Sequence, residues 1–178
     1  MIKNMKKESQ SAFYLFLGIV VLATVVACIY ANTPAKIQSD DYQFSCPRKI
    51  SVQTQESQGH TEVIFRRTGQ EVGRVNDCPN VSWDDMEQVI NDRNADVVEF
   101  LESNGVFQED TAPVSYMMES GSVNPKVEFW EKRNGVERIH YFYFTEDGHC
   151  FDVWFDCSLV SEDIIHHVKE SFKLEGIT

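Results

Sequence analysis

The sequence predicts an α+β domain: an antiparallel β-sheet with an internal and a C-terminal helix packed on it, behind an apolar N-terminal helix. Three observations carry this. Residues 12–31 hold no charge. Asn134-Gly135 separates two strand-like runs, the pattern of a tight antiparallel hairpin. The stretches after Ser82 and Ser161 repeat apolar residues at three- and four-residue steps, the helical period. Helices on both faces of the sheet would make an α/β/α sandwich.

The N-terminal segment, Ser11 to Ala31, reads SAFYLFLGIVVLATVVACIYA, and only Thr24 is markedly polar after Ala12. At about 1.5 Å per residue, residues 12–31 cover about 30 Å, the thickness of a bilayer's hydrocarbon core. Lys3, Lys6 and Lys7 precede it and an acidic domain follows. The positive-inside rule therefore puts residues 1–11 in the cytoplasm and the domain outside. Three readings stay open. The segment is a single-pass anchor, a secretory signal cut after Ala31, or a lipoprotein signal. For the last, Val25-Val26-Ala27-Cys28 resembles the bacterial lipobox, with Cys28 as the lipidated residue. All three export the domain.

Residues 32–43, NTPAKIQSDDYQ, are polar and hold a proline; they read as a linker, with the extracytoplasmic domain over 44–176. The formal net charge of −12 would repel phosphate backbones, so nucleic acid is excluded as a partner. The expected partners are the membrane, through the N-terminal segment, and an envelope protein or small ligand. With Cys28 set aside, Cys46, Cys78, Cys150 and Cys157 are candidates for disulfides in an exported domain. Cys150 and Cys157 fall on opposite faces of one strand, so they are not expected to pair with each other unless the strand breaks after Phe155; Cys46 and Cys78 are the available partners, or they pair together.

The domain opens with strands over 48–54 and 61–68 and a short one over 71–75, punctuated by SQG and TG turns. One helix is expected from Ser82 to Gly105, capped by Ser82 and helped by Asp84 and Asp85 at its positive end. Its apolar stripe is Trp83, Met86, Ile90, Val97 and Leu101. Strands follow over 114–119, 126–133, 136–145 and 149–156, the last pair joined through an Asp147-Gly148 turn. A serine-capped helix over 161–172 ends the domain, with Ile164, Ile165, Val168 and Phe172 inward.

Two-residue turns at both hairpins would set Arg133 opposite Val136 and Glu146 opposite His149. One face then carries Val127, Phe129, His140, Phe142, Phe144, Phe151, Val153 and Phe155, and reads as core. His140 in it is expected to be a neutral, buried imidazole, because charging it there would cost desolvation. The other face collects Trp130, Tyr141, Tyr143, Cys150, Asp152, Trp154 and Asp156. There Trp130, Tyr141, Tyr143, Asp152 and Trp154 make a candidate interaction face, either covered in part by a helix or open to a partner.

No catalytic or metal-binding constellation stands out. Adjacent His149 and Cys150 face opposite ways, which argues against a Cys–His pair. His166-His167 with Asp163 lacks helical ligand spacing. Asp152, Asp156, Tyr143 and His149 are the residues a hydrolase reading would use, on the 136–157 hairpin. No cofactor is expected. Asn80-Val81-Ser82 is a glycosylation sequon.

The closing stretch, YFYFTEDGHCFDVWFD followed by SEDIIHHVKESFKLE, resembles the ends of PsbP/Mog1-like α/β/α domains: strand, turn, aromatic strand, then a serine-capped helix. At the level of pattern the likeness spans roughly residues 44–174. It implies a non-catalytic interaction role, with no functional residue carried over. The expected function is thus a membrane-anchored, extracytoplasmic, non-catalytic binding domain, the alternative being an extracytoplasmic hydrolase.

Overall fold

A computed structural model describes residues 2–57, 60–92, 96–107, 112–119, 126–145 and 149–175. The chain runs α1 (Ile2–Asn32), β1 (Ala35–Gln38), β2 (Tyr42–Cys46), β3 (Ser51–Ser57), β4 (His60–Arg67), β5 (Gln70–Asp77), α2 (Trp83–Asn91), α3 (Val97–Ser103), β6 (Ala112–Glu119), β7 (Lys126–Arg133), β8 (Val136–Phe144), β9 (Cys150–Asp156), α4 (Glu162–Ser171) and β10 (Lys173–Leu174). The predicted α+β class holds. Seven strands form one antiparallel sheet in the order β3-β4-β5-β9-β8-β7-β6, and β1-β2-β10 form a second.

The large sheet buries both faces. On one lies a core shared with α4 and the small sheet, built from Tyr42, Phe44, Phe65, Tyr141, Tyr143, Phe151, Val153, Phe155, Ile165 and Val168 among others. Phe172 sits at its centre, stacked on Tyr143 at 4.3 Å and on Tyr42 at 5.2 Å between ring centroids. On the other face α2, α3 and Phe107 enclose Cys78, Val127, Phe129, Phe142, Phe144 and Cys150. A sheet with apolar residues on both sides must be covered on both sides, which is why its central strands alternate little.

α1 contains a stretch, Tyr14–Asn32, long and apolar enough to cross a membrane or to serve as a signal anchor; it is exposed along its length. Only Thr33 and Pro34 separate α1 from β1. The expected linker is therefore mostly folded. Ile37 pairs with Phe44 and Ala35 with Cys46, and Tyr42 is fully buried. Polarity misled the boundary: Ser39-Asp40-Asp41 is the hairpin's turn, in which the Ser39 hydroxyl accepts from the Tyr42 amide at 3.1 Å. Arg48 ties this start to α1, donating to the Thr33 carbonyl at 3.1 Å and to the Tyr30 hydroxyl at 2.8 Å, with its guanidinium 3.8 Å from the centre of the Tyr30 ring. A cation at a helix C-terminus also meets the negative end of the helix dipole.

The helix expected from Ser82 to Gly105 is two helices. Ser82 caps α2 as predicted, accepting from the Asp85 amide. The backbone is extended at Asp92, and Asp96 opens α3 by accepting from the amides of Val98 and Glu99. Asn91-Asp92-Arg93-Asn94 is rich in side chains that compete for backbone hydrogen bonds, so the periodic stripe hid a break.

Two turns match their sequence signals. Asn134 and Gly135 both adopt positive φ (50° and 81°), and Arg133 faces Val136. Thr68 and Gly69 do likewise (51° and 86°) between β4 and β5. The β8–β9 connection differs from expectation. Phe144 faces Cys150, and beyond them the Thr145 amide donates to the His149 carbonyl at 2.8 Å. Three residues, 146–148, lie between Thr145 and His149, not two. The Asp147-Gly148 turn itself lies outside the described residues.

Candidate functional site

That one extra residue shifts β9 by one position against β8, and a shift of one sends every side chain to the other face. Phe151, Val153 and Phe155 join Ile139, Tyr141 and Tyr143 under α4. Cys150, Asp152, Trp154 and Asp156 join His140, Phe142 and Phe144. The five residues predicted as an interaction face are therefore divided. Tyr141 and Tyr143 are buried beneath α4: Tyr143 donates to the Lys169 carbonyl at 3.2 Å, and the Lys169 ammonium lies 5.1 Å from the centre of the Tyr141 ring. Helical covering of these tyrosines, one of the two options left by the sequence, is what the fold provides. Trp130 shares their face but remains 38% exposed on β7. Asp152 and the half-buried Trp154 point to the opposite side.

The same shift brings Asp152 to a histidine. His140 on β8 and Asp152 on β9 are diagonal neighbours, and His140 Nδ1 lies 2.9 and 3.1 Å from the two Asp152 oxygens. Asn76, facing Asp152 from β5, reaches the same carboxyl at 3.5 Å. On β7, Glu131 stands opposite Arg138, and its Oε1 lies 3.2 Å from Arg138 Nη1 and 3.5 Å from His140 Nε2. The order across the sheet is Asp152–His140–Glu131–Arg138, two acids matched to two bases. Phe107 packs edge-on over the His140 ring at 4.9 Å, and the Arg138 guanidinium lies 4.9 Å from the centre of Trp154. His140, Glu131 and Asp152 are 4%, 3% and 0% exposed.

These surroundings overturn the expected neutral imidazole. Burial pulls the His140 pKa down, but Asp152 first and Glu131 second outweigh it and bring the value up to about 9. His140 is an imidazolium at neutral pH. For Glu131, burial pushes the carboxyl up, and His140 and then Arg138 bring it below the usual range. Chemically the cluster is a charge-matched network, buried at Asp152, His140 and Glu131 and reaching solvent at Arg138. A signal for half of it was in the sequence: the Asn134-Gly135 turn already sets Glu131 against Arg138. Asn76 and Asp152 depended on the register of β9.

The other predicted residues are dispersed. Asp156 accepts from the Ser158 amide at 2.9 Å and the Ser158 hydroxyl at 2.6 Å, fastening the turn after β9. His149 lies 3.2 Å from Asp77 and faces away from Cys150, as strand parity required. The hydrolase set Asp152, Asp156, Tyr143 and His149 is thus spread over both faces. His167 lies 2.8 Å from the Ser45 hydroxyl, while His166 is exposed. No group of three or more metal-ligating side chains is found among the described residues. All five cysteines are free thiols. Cys28 is exposed on α1; Cys46 and Cys157 belong to the core under α4; Cys78 and Cys150 belong to the core under α2 and α3.

No protein-family model matches the chain, and no curated protein sequence matches it.

Proposed function

We propose that this chain is a membrane-anchored, extracytoplasmic binding domain that acts without catalysis on a protein or small ligand at the membrane surface. The observation that carries the reading is the direct junction of an exposed, apolar helix to a doubly covered acidic domain. The helix supplies the anchor; the lysines before it and the acidic domain after it support an N-terminus in the cytoplasm and a domain outside. The sealing of the Asp152–His140–Glu131 cluster favours a structural role for His140, which two carboxyl groups share. Lipid attachment at Cys28 is the second form of the anchor.

Crosslinking in intact native membranes, followed by identification of what is joined to the domain, tests the binding role. A reproducible envelope partner supports it. A chain that reacts only with itself, together with turnover of a hydrolase substrate that Asp152→Asn abolishes, would replace it with the hydrolase alternative. Mass analysis of the mature N-terminus separates an intact Met1, a lipidated Cys28 and cleavage after Ala31. Protease added outside spheroplasts should digest the domain; a domain protected until lysis contradicts export.

A further inference from the structure

We propose that Cys78 and Cys150 are a disulfide-forming pair, closed while the chain folds. The large sheet sorts the thiols: Cys46 and Cys157 pack on the α4 side, whereas Cys78 and Cys150 share the other core. The β5–β9 register runs from Gly73–Phe155 to Asp77–Phe151 and continues with Cys78 opposite Cys150, where the Cys78 amide donates to the Cys150 carbonyl at 2.8 Å. Opposed residues of antiparallel strands lie about 4.5–5.5 Å apart at Cα. A disulfide spans about 4.4–6.8 Å. Burial, and after it the neighbouring Cys78, push the Cys150 thiol well above its ordinary value.

Both thiols are buried, and burial holds Cys150 protonated, so the finished fold protects them from reagents. The bond therefore forms before α2 and α3 close over the sheet. Two S–H bonds break and one S–S bond forms. The two electrons pass to the disulfide of a dithiol–disulfide carrier or of oxidised glutathione, which is cleaved to two thiols that take up the two protons. The linkage would join the β3–β5 half of the sheet to the β6–β9 half.

The in vitro pairing is independent of the export reading; only its occurrence in the cell rests on it. Full-length protein is refolded in detergent with oxidised and reduced glutathione, alkylated, digested and mapped by mass spectrometry without reduction. The expected result is a Cys78–Cys150 peptide, with Cys28, Cys46 and Cys157 alkylated. The linked protein should melt roughly 5–15 °C above its reduced form. Five alkylated thiols, or a bond from Cys78 or Cys150 to Cys28, Cys46 or Cys157, overturn the pairing. The wild-type map needs no substituted chain, so a folding defect in Cys78→Ser cannot obscure it. Protein alkylated directly in native membranes gives the separate answer: reduced thiols there, beside a linked refolded sample, count against export and leave the pairing standing.

Discussion

His140 carries a charge inside the protein, and the charge ties stability to pH. Its folded pKa of about 9 lies above the 6.5 of a free imidazole, so its contribution is complete below pH 6.5 and is lost as pH rises through 9. The shift corresponds to about 3 kcal/mol. Urea unfolding between pH 6 and 9 should show stability falling by an amount of that order. In His140→Gln the decline should flatten, and the variant should be about 3–5 kcal/mol weaker at pH 7, because two buried carboxyl groups lose their cation. Thr68 gives a second prediction at this scale. It is a β-branched residue at φ 51°, where Asn or Gly is at ease. Thr68→Asn should raise the unfolding free energy by about 0.5–1 kcal/mol in denaturant titration. Local chemistry of this kind was legible in the sequence wherever a dipeptide dictates backbone conformation, as Asn134-Gly135 does. The pairing of His140 with Asp152 was not, because it depends on the register of a second hairpin.

Between the strands, one glycine decides how closely two rings meet. Gly73 on β5 faces both Phe65 and Phe155, whose centroids are 4.8 Å apart. A methyl group there would strike the Trp154 carbonyl and come within 2.7 Å of the Phe155 ring. Gly73→Ala should cost about 1–3 kcal/mol through overpacking, read as a drop in melting temperature. Cap chemistry separates α2 from α3 in the same way. Asp96→Ala should cost about 1 kcal/mol, measurable by denaturant unfolding, because two amides lose their acceptor. Element type was readable from the sequence for the strands of the large sheet and for α4. Element registration was not: the length of the β8–β9 loop, three residues rather than two, reversed the facing of a whole strand. Both faces of β8 are rich in large side chains, Ile139, Tyr141 and Tyr143 on one and His140, Phe142 and Phe144 on the other, so the apolar face of β9 could have joined either.

Across the whole molecule, the small sheet binds the start of the domain to its end. β10 pairs with β2 at Lys173–Gln43 and Leu174–Tyr42, and Tyr42 donates to the Thr61 carbonyl at 2.7 Å. A chain begun at residue 44, the boundary that polarity suggested, lacks β1 and Tyr42. Compared with one begun at residue 33, it should lose about 3–5 kcal/mol or fail to fold, judged by circular dichroism and denaturant midpoint. The sandwich class and the N-terminal helix were legible because burial on two faces and a long apolar run leave strong compositional marks. The small sheet was not, since four-residue β1 is half polar and its partners lie at both ends of the domain.

The two-residue junction between α1 and β1 also fixes a length scale. Thr33 and Pro34 supply at most about 7 Å of slack. On the proposed placement, the domain cannot sweep a volume above the bilayer in search of a target. On that placement the domain would be held close to the headgroups, and binding would take place near the bilayer. So short a neck also offers little unfolded substrate to a shedding protease, and release of the domain would require unravelling β1 first.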